Sequence, residues 1–97
     1  MWGGEISSLI VVEDKTSPQF NIGANSTASV VFDVSKTGYT CVGIIGLWLS
    51  NGSLDMVEYY ITSNQEASLY LYNQSSTALS NKTIKPTFLY VKNLSWG

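Results

Sequence analysis

The sequence predicts an all-β domain, a small antiparallel β-sandwich or jelly-roll-like fold. Apolar residues recur with period two along most of the chain, as they do on strands whose two faces differ in burial. Clusters of Asn, Gly and Ser break that pattern every 8 to 12 residues or so, the spacing of short strands joined by turns. No stretch of helical period is long enough to compete. A length of 97 residues fits one core, so residues 1–97 are expected to form a single domain, with 1–5 and 93–97 either disordered or clasped together through Trp2 and Trp96.

The elements follow in chain order. Ile6 to Glu13 is a β-rich run, and Phe20 to Ile22 is a short one. Ala28, Val30, Phe32 and Val34 alternate with Ser29, Val31 and Asp33, which predicts a half-buried strand. From Thr40 to Ser50 both faces are apolar, which predicts a central strand, and Gly43 and Gly46 mark bulges, bends or close backbone approaches within it. Ser50, Asn51, Gly52 and Ser53 carry the chemistry of a positive-φ hairpin turn, returning the chain along Met56 to Ser63. After a turn at Asn64 to Glu66, Leu69 and Leu71 face the core while Tyr70 and Tyr72 face outward. Gln74 to Asn81 reads as a polar connection. In the last strand Thr87, Leu89 and Val91 alternate with Phe88, Tyr90 and Lys92, with Leu89 and Val91 inward, and Pro86 predicts an interruption or an edge.

Charged residues make up only 12% of the chain, so its polar surface must come from Ser, Thr and Asn. Five Lys, no Arg and a net charge of −2 argue against nucleic acid, which is bound through clustered cations. No run approaches a membrane-spanning helix, and no signal peptide is legible. The single cysteine, Cys41, reads as a free buried thiol.

Histidine is absent, which removes the usual general base, triad member and zinc ligand, and no catalytic residue or cofactor is expected. The carboxylates Glu5, Glu13, Asp14, Asp33, Asp55, Glu58 and Glu66 read as surface charges, and none of their spacings suggests a calcium loop or a glycosidase pair. The candidate ligand or interface residues are aromatic. If the leucine faces fill the core, Tyr70, Tyr72, Phe88 and Tyr90 point outward, available to another copy, to an overlying loop or to a ligand. Tyr59 and Tyr60 join them as ligand candidates, with Asn51 and Asn73 in nearby turns. Five Asn-x-Ser/Thr sequons, at Asn25, Asn51, Asn73, Asn81 and Asn93, are expected to reflect turn chemistry rather than glycan attachment.

Four stretches, Lys36-Thr-Gly-Tyr-Thr40 leading into Val42-Gly-Ile-Ile-Gly-Leu-Trp48, Leu69-Tyr-Leu-Tyr-Asn-Gln-Ser-Ser-Thr-Ala78 and Phe88-Leu-Tyr-Val-Lys92, resemble in order and spacing the C-terminal head domain of phage and prophage tail-fibre or baseplate-associated proteins of Gram-positive gut bacteria. That resemblance implies a host-recognition head, commonly a homotrimer, at the tip of a virion tail or fibre. It would be made in the bacterial cytoplasm, contact other virion tail proteins and recognise a host cell-surface polysaccharide. A purely structural virion protein for decoration or fibre assembly is the alternative.

Overall fold

The computed structural model describes residues 9–94 and contains eight strands joined by turns: β1 (Ile10–Asp14), β2 (Phe20–Ile22), β3 (Thr27–Asp33), β4 (Tyr39–Leu49), β5 (Leu54–Ile61), β6 (Glu66–Asn73), β7 (Leu79–Lys82) and β8 (Ile84–Lys92). The fold is all-β, every pairing is antiparallel, and no helix occurs among the described residues. Two three-stranded sheets, ordered β1-β8-β4 and β3-β6-β5, are accompanied by a two-stranded ribbon of β2 and β7. The expected Trp2–Trp96 clasp and the start of the first run at Ile6 lie outside the described residues.

One buried cluster joins the sheets. Val30 and Phe32 of β3 and Leu69 and Leu71 of β6 share it with Cys41 of β4 and Ile84, Phe88 and Tyr90 of β8. The Phe32 and Phe88 rings meet edge-on with centroids 5.6 Å apart, an arrangement that adds a favourable quadrupole contact to the area both rings bury. Cys41 is buried as expected, and burial pushes its thiol up.

Four sequence expectations are corrected. On β8 the alternation is reversed: Ile84, Pro86, Phe88 and Tyr90 point inward, whereas Val91 is exposed. Both faces of this strand are apolar, so pattern could not choose between them, and the larger rings occupy the core. Second, β4 lies at a sheet edge and β8 is the central strand. Of the bulge, bend or close approach expected at Gly43 and Gly46, the structure has bulges, with register shifts between Cys41 and Gly43 and between Ile44 and Gly46. Pro86 sits inside β8 because its carbonyl accepts from Lys15 N (3.1 Å), just beyond the end of β1. In an antiparallel ladder the N–H and C=O of one residue point to the same side, so the missing N–H faces Lys15 beyond the end of β1 and costs no β4–β8 bond.

Third, Ser50 to Ser53 does not close a hairpin. β4 pairs with β8 and β5 with β6, so this turn carries the chain from one sheet to the other. Each of its ends is held to its own sheet: Ser50 Oγ accepts from Thr83 N (2.9 Å) beyond the β4–β8 pairing, and Gln74 N donates to Ser53 O (2.8 Å) beyond the β5–β6 pairing. Positive φ falls elsewhere, at Asn25, Gly38, Gln65 and Asn81. Fourth, the stretch taken as a polar connection contains β7, a short strand whose Leu79 packs on the core and pairs with Ile22.

Candidate functional site

The outer faces of the two large sheets differ in chemistry. On the β3-β6-β5 sheet the outward positions are Thr27, Ser29, Val31 and Asp33 on β3, Ser68, Tyr70 and Tyr72 on β6, and Asp55, Glu58 and Tyr60 on β5. A register shift between Met56 and Glu58 adds Val57 to this surface, where it is exposed. Tyr60 and Tyr70 form the centre. Their hydroxyls are hydrogen-bonded at 2.7 Å and their rings stand 5.7 Å apart at a 35° tilt. With Thr27, Val57 and Glu58 they line an open depression of about 300 Å³. The hydrogen bond with Tyr60 pushes the Tyr70 phenol up, and a phenol hydroxyl can both donate and accept.

Sequence reasoning selected Tyr60, Tyr70 and Tyr72, and the structure brings these onto one face. It does not bring the rest there. Phe88 and Tyr90 are fully buried and belong to the core. Tyr59 faces inward, half-buried, and its hydroxyl accepts from Ile44 N at 3.3 Å across the sheets. Asn73 is buried: its amide donates to Gly23 O and Thr77 O, both at 3.0 Å, and its Oδ1 accepts from Ser75 N at 2.9 Å. Asn51 folds its own turn, accepting from Ser53 N at 2.8 Å.

These bonds also account for the sequons. Asn25 and Asn81 hold positive φ, Asn51 and Asn73 cap their turns through the nitrogen two residues on, and Asn93 accepts from Thr40 Oγ1. A glycan on Asn73 would displace the bonds its buried amide nitrogen makes inside the fold.

The β1-β8-β4 sheet presents an apolar outer face that period-two reading missed. Ile10 and Val12 of β1 lie beside Val91 and Leu89 of β8, and Val42, Ile45 and Trp48 of β4 continue the patch. Ile10, Val12, Val42, Ile45, Trp48 and Val91 are each between 40% and 60% exposed. The bulges explain the spacing: each inserts one residue, so outward positions on β4 recur every three residues. The glycines at 43 and 46 were the signal that could have found it. At one end Asp14, Leu47, Trp48, Lys85 and Thr87 line a depression of about 450 Å³, with Thr87 Oγ1 donating to Asp14 Oδ1 at 2.6 Å.

Ion pairing sits at the margin, where Lys36 Nζ meets Glu13 at 2.7 Å and Lys15 approaches it at 3.8 Å. The hydrogen bond from Lys36 holds the Glu13 carboxyl below its ordinary value. Among the described residues no three His, Cys, Asp or Glu side chains cluster as metal ligands would. Comparison with known proteins finds no matching family model, no matching curated protein and no matching solved structure.

Proposed function

We propose that the chain is a saccharide-recognition head of the phage tail-fibre or baseplate-associated kind. The observation that carries the recognition role is the Tyr60–Tyr70 pair: an exposed and a half-buried ring on the outer face, joined by a hydroxyl–hydroxyl bond, beside Glu58 and Thr27. Sugar rings stack their C–H faces on aromatic planes, and their hydroxyls take bonds from carboxylates, phenols and threonine. The virion setting rests on the sequence resemblance alone. Nested antiparallel pairing, in which β1 meets β8, β2 meets β7 and β3 meets β6, supports a jelly-roll-like β-sandwich, because it is the pairing of one long hairpin rolled up.

Hydrogen bonds that water also serves give a small net gain, so a single site of this depth binds in the micromolar to millimolar range. The test is adsorption of the purified protein to isolated cell-wall polysaccharides of Gram-positive bacteria. Tyr60→Ala and Tyr70→Ala should each weaken adsorption by about tenfold or more, with an unchanged circular dichroism spectrum. Wild-type protein that adsorbs to no wall polysaccharide, or variants that adsorb equally well, would remove the recognition role and leave a structural virion protein in its place.

A further inference from the structure

We infer that the apolar outer face of the β1-β8-β4 sheet is the contact surface for a second copy of this chain, packed face to face about a two-fold axis. A two-fold pair departs from the homotrimer that the sequence resemblance implies; the inference rests on this face alone, on the opposite sheet from the tyrosine pair, and does not depend on saccharide binding. The six exposed side chains of this patch leave on the order of 500 Å² of contiguous apolar surface, within the range where a patch on a small protein marks an interaction site. Two such patches in contact would remove on the order of 1,000 Å² from water, the smallest area typical of a specific interface.

The patch also has the anatomy of an interface. Its centre, Val12, Leu89, Val42 and Ile45, carries no charge. Polar groups close both ends: Asp14, Thr87 and Lys85 at one, the hydrogen-bonded Thr40 and Asn93 at the other. An apolar centre with a polar rim is the usual arrangement of associating surfaces. Edge-to-edge pairing is the competing mode of β association, and this sheet resists it. The free edge of β4 is broken by two bulges, and β1 is only five residues long.

The ends decide which two-fold fits. An axis running along the strands through the middle of the patch would set Lys85 over the Lys85 of the other copy. An axis across the strands instead sets the charged end of one copy over the Ile10–Val91 end of the other and leaves the charges at the rim. That arrangement turns both tyrosine faces outward, on opposite sides of the pair.

Sedimentation velocity and light scattering from about 1 to 200 µM provide the test, because an interface this size sits at the weak end of specific association. The wild-type mass should rise with concentration toward twice 10.6 kDa. Ile45→Lys and Val12→Lys, both at exposed positions, should each weaken association at least about tenfold while keeping the strand spectrum, since a charge would be buried without a partner. Val31→Lys, equally exposed on the other sheet, should leave the mass curve unchanged. A wild-type monomer across the whole range overturns the inference and leaves the face to a different chain. A three-copy mass, or a dimer indifferent to both lysine substitutions, overturns it as well.

Discussion

The two outer sheet faces are built on the same backbone geometry and have opposite chemistry. On β3-β6-β5 strict alternation sends Ser, Thr, Tyr and carboxylates outward, and the leucines of β6 fill the core. On β1-β8-β4 both sides of the strands are apolar, so one apolar side remains in water. A sheet of the first kind is finished as a monomer, whereas the second has an unburied surface whose exposure is unfavourable by roughly 25 cal/mol per Å². The difference is between a face whose outward side chains are largely polar and one that leaves apolar area in water.

The strongest challenge to this contrast is to exchange the roles of the two sides of β8. Phe88→Ala should destabilise the fold by about 3 to 5 kcal/mol, because it empties the core beside Phe32. Val91→Ala, three residues along and on the opposite face, should cost less than about 1 kcal/mol in the monomer. Urea denaturation of both variants checks it, and comparable losses would mean that the outer face is covered within the single chain.

Asn73→Ala probes the other sheet. It removes three hydrogen bonds that tie the end of β6 to the loops at Gly23 and Thr77, and should cost about 2 to 3 kcal/mol. If amide exchange then accelerated in β1 and β8 as much as in β3 and β6, the two sheets would open as one unit rather than separately.

Tyr90→Phe is expected to move stability the other way, upward by as much as about 1 kcal/mol. The Tyr90 hydroxyl is buried and finds no hydrogen-bond partner among the described residues. Burial pushes this phenol up to about 12 from an ordinary value of 10.0. In the unfolded chain it ionises first, so its contribution is intact below pH 10 and is lost between there and about pH 12. Tyr90→Phe should therefore also flatten the alkaline loss of stability, and a variant that unfolds at the wild-type alkaline midpoint would contradict this.

The smallest effect belongs to Glu13 at the margin of the apolar sheet. Its lowered carboxyl gives a contribution present above the ordinary value of 4.5 and lost as pH falls through the lower folded value. Both partners are about a third exposed, so solvent screening keeps the effect under about 1 kcal/mol. Glu13→Gln should reduce the slope of acid unfolding slightly, and an unchanged slope would mean the pair is too solvated to matter.

Much of the polar-faced sheet was legible in the sequence. Val30, Phe32, Leu69 and Leu71 are buried, and Tyr70 faces outward, because each of those strands has one apolar and one polar side and register follows from that asymmetry. The turn role of the sequon asparagines was legible for a similar reason, since Asn side chains satisfy backbone groups two residues away without help from the rest of the fold. The Tyr60–Tyr70 pair was only half legible. Both residues were candidates, but their pairing depends on the β5–β6 register, which the bulge at Val57 shifts by one residue.

By itself, then, the sequence determined the all-β class, the antiparallel habit, the buried thiol and an irregularity at the two glycines of β4, because these follow from local period and from what each residue's backbone permits. Tertiary structure decided which side of β8 is core, that β4 is an edge, that Ser50 to Ser53 crosses between sheets, and that Leu79 begins a strand. The physical reason is common to all four. Each depends on which distant segment supplies the opposing surface, and a strand apolar on both sides offers the same local pattern whichever face is finally buried.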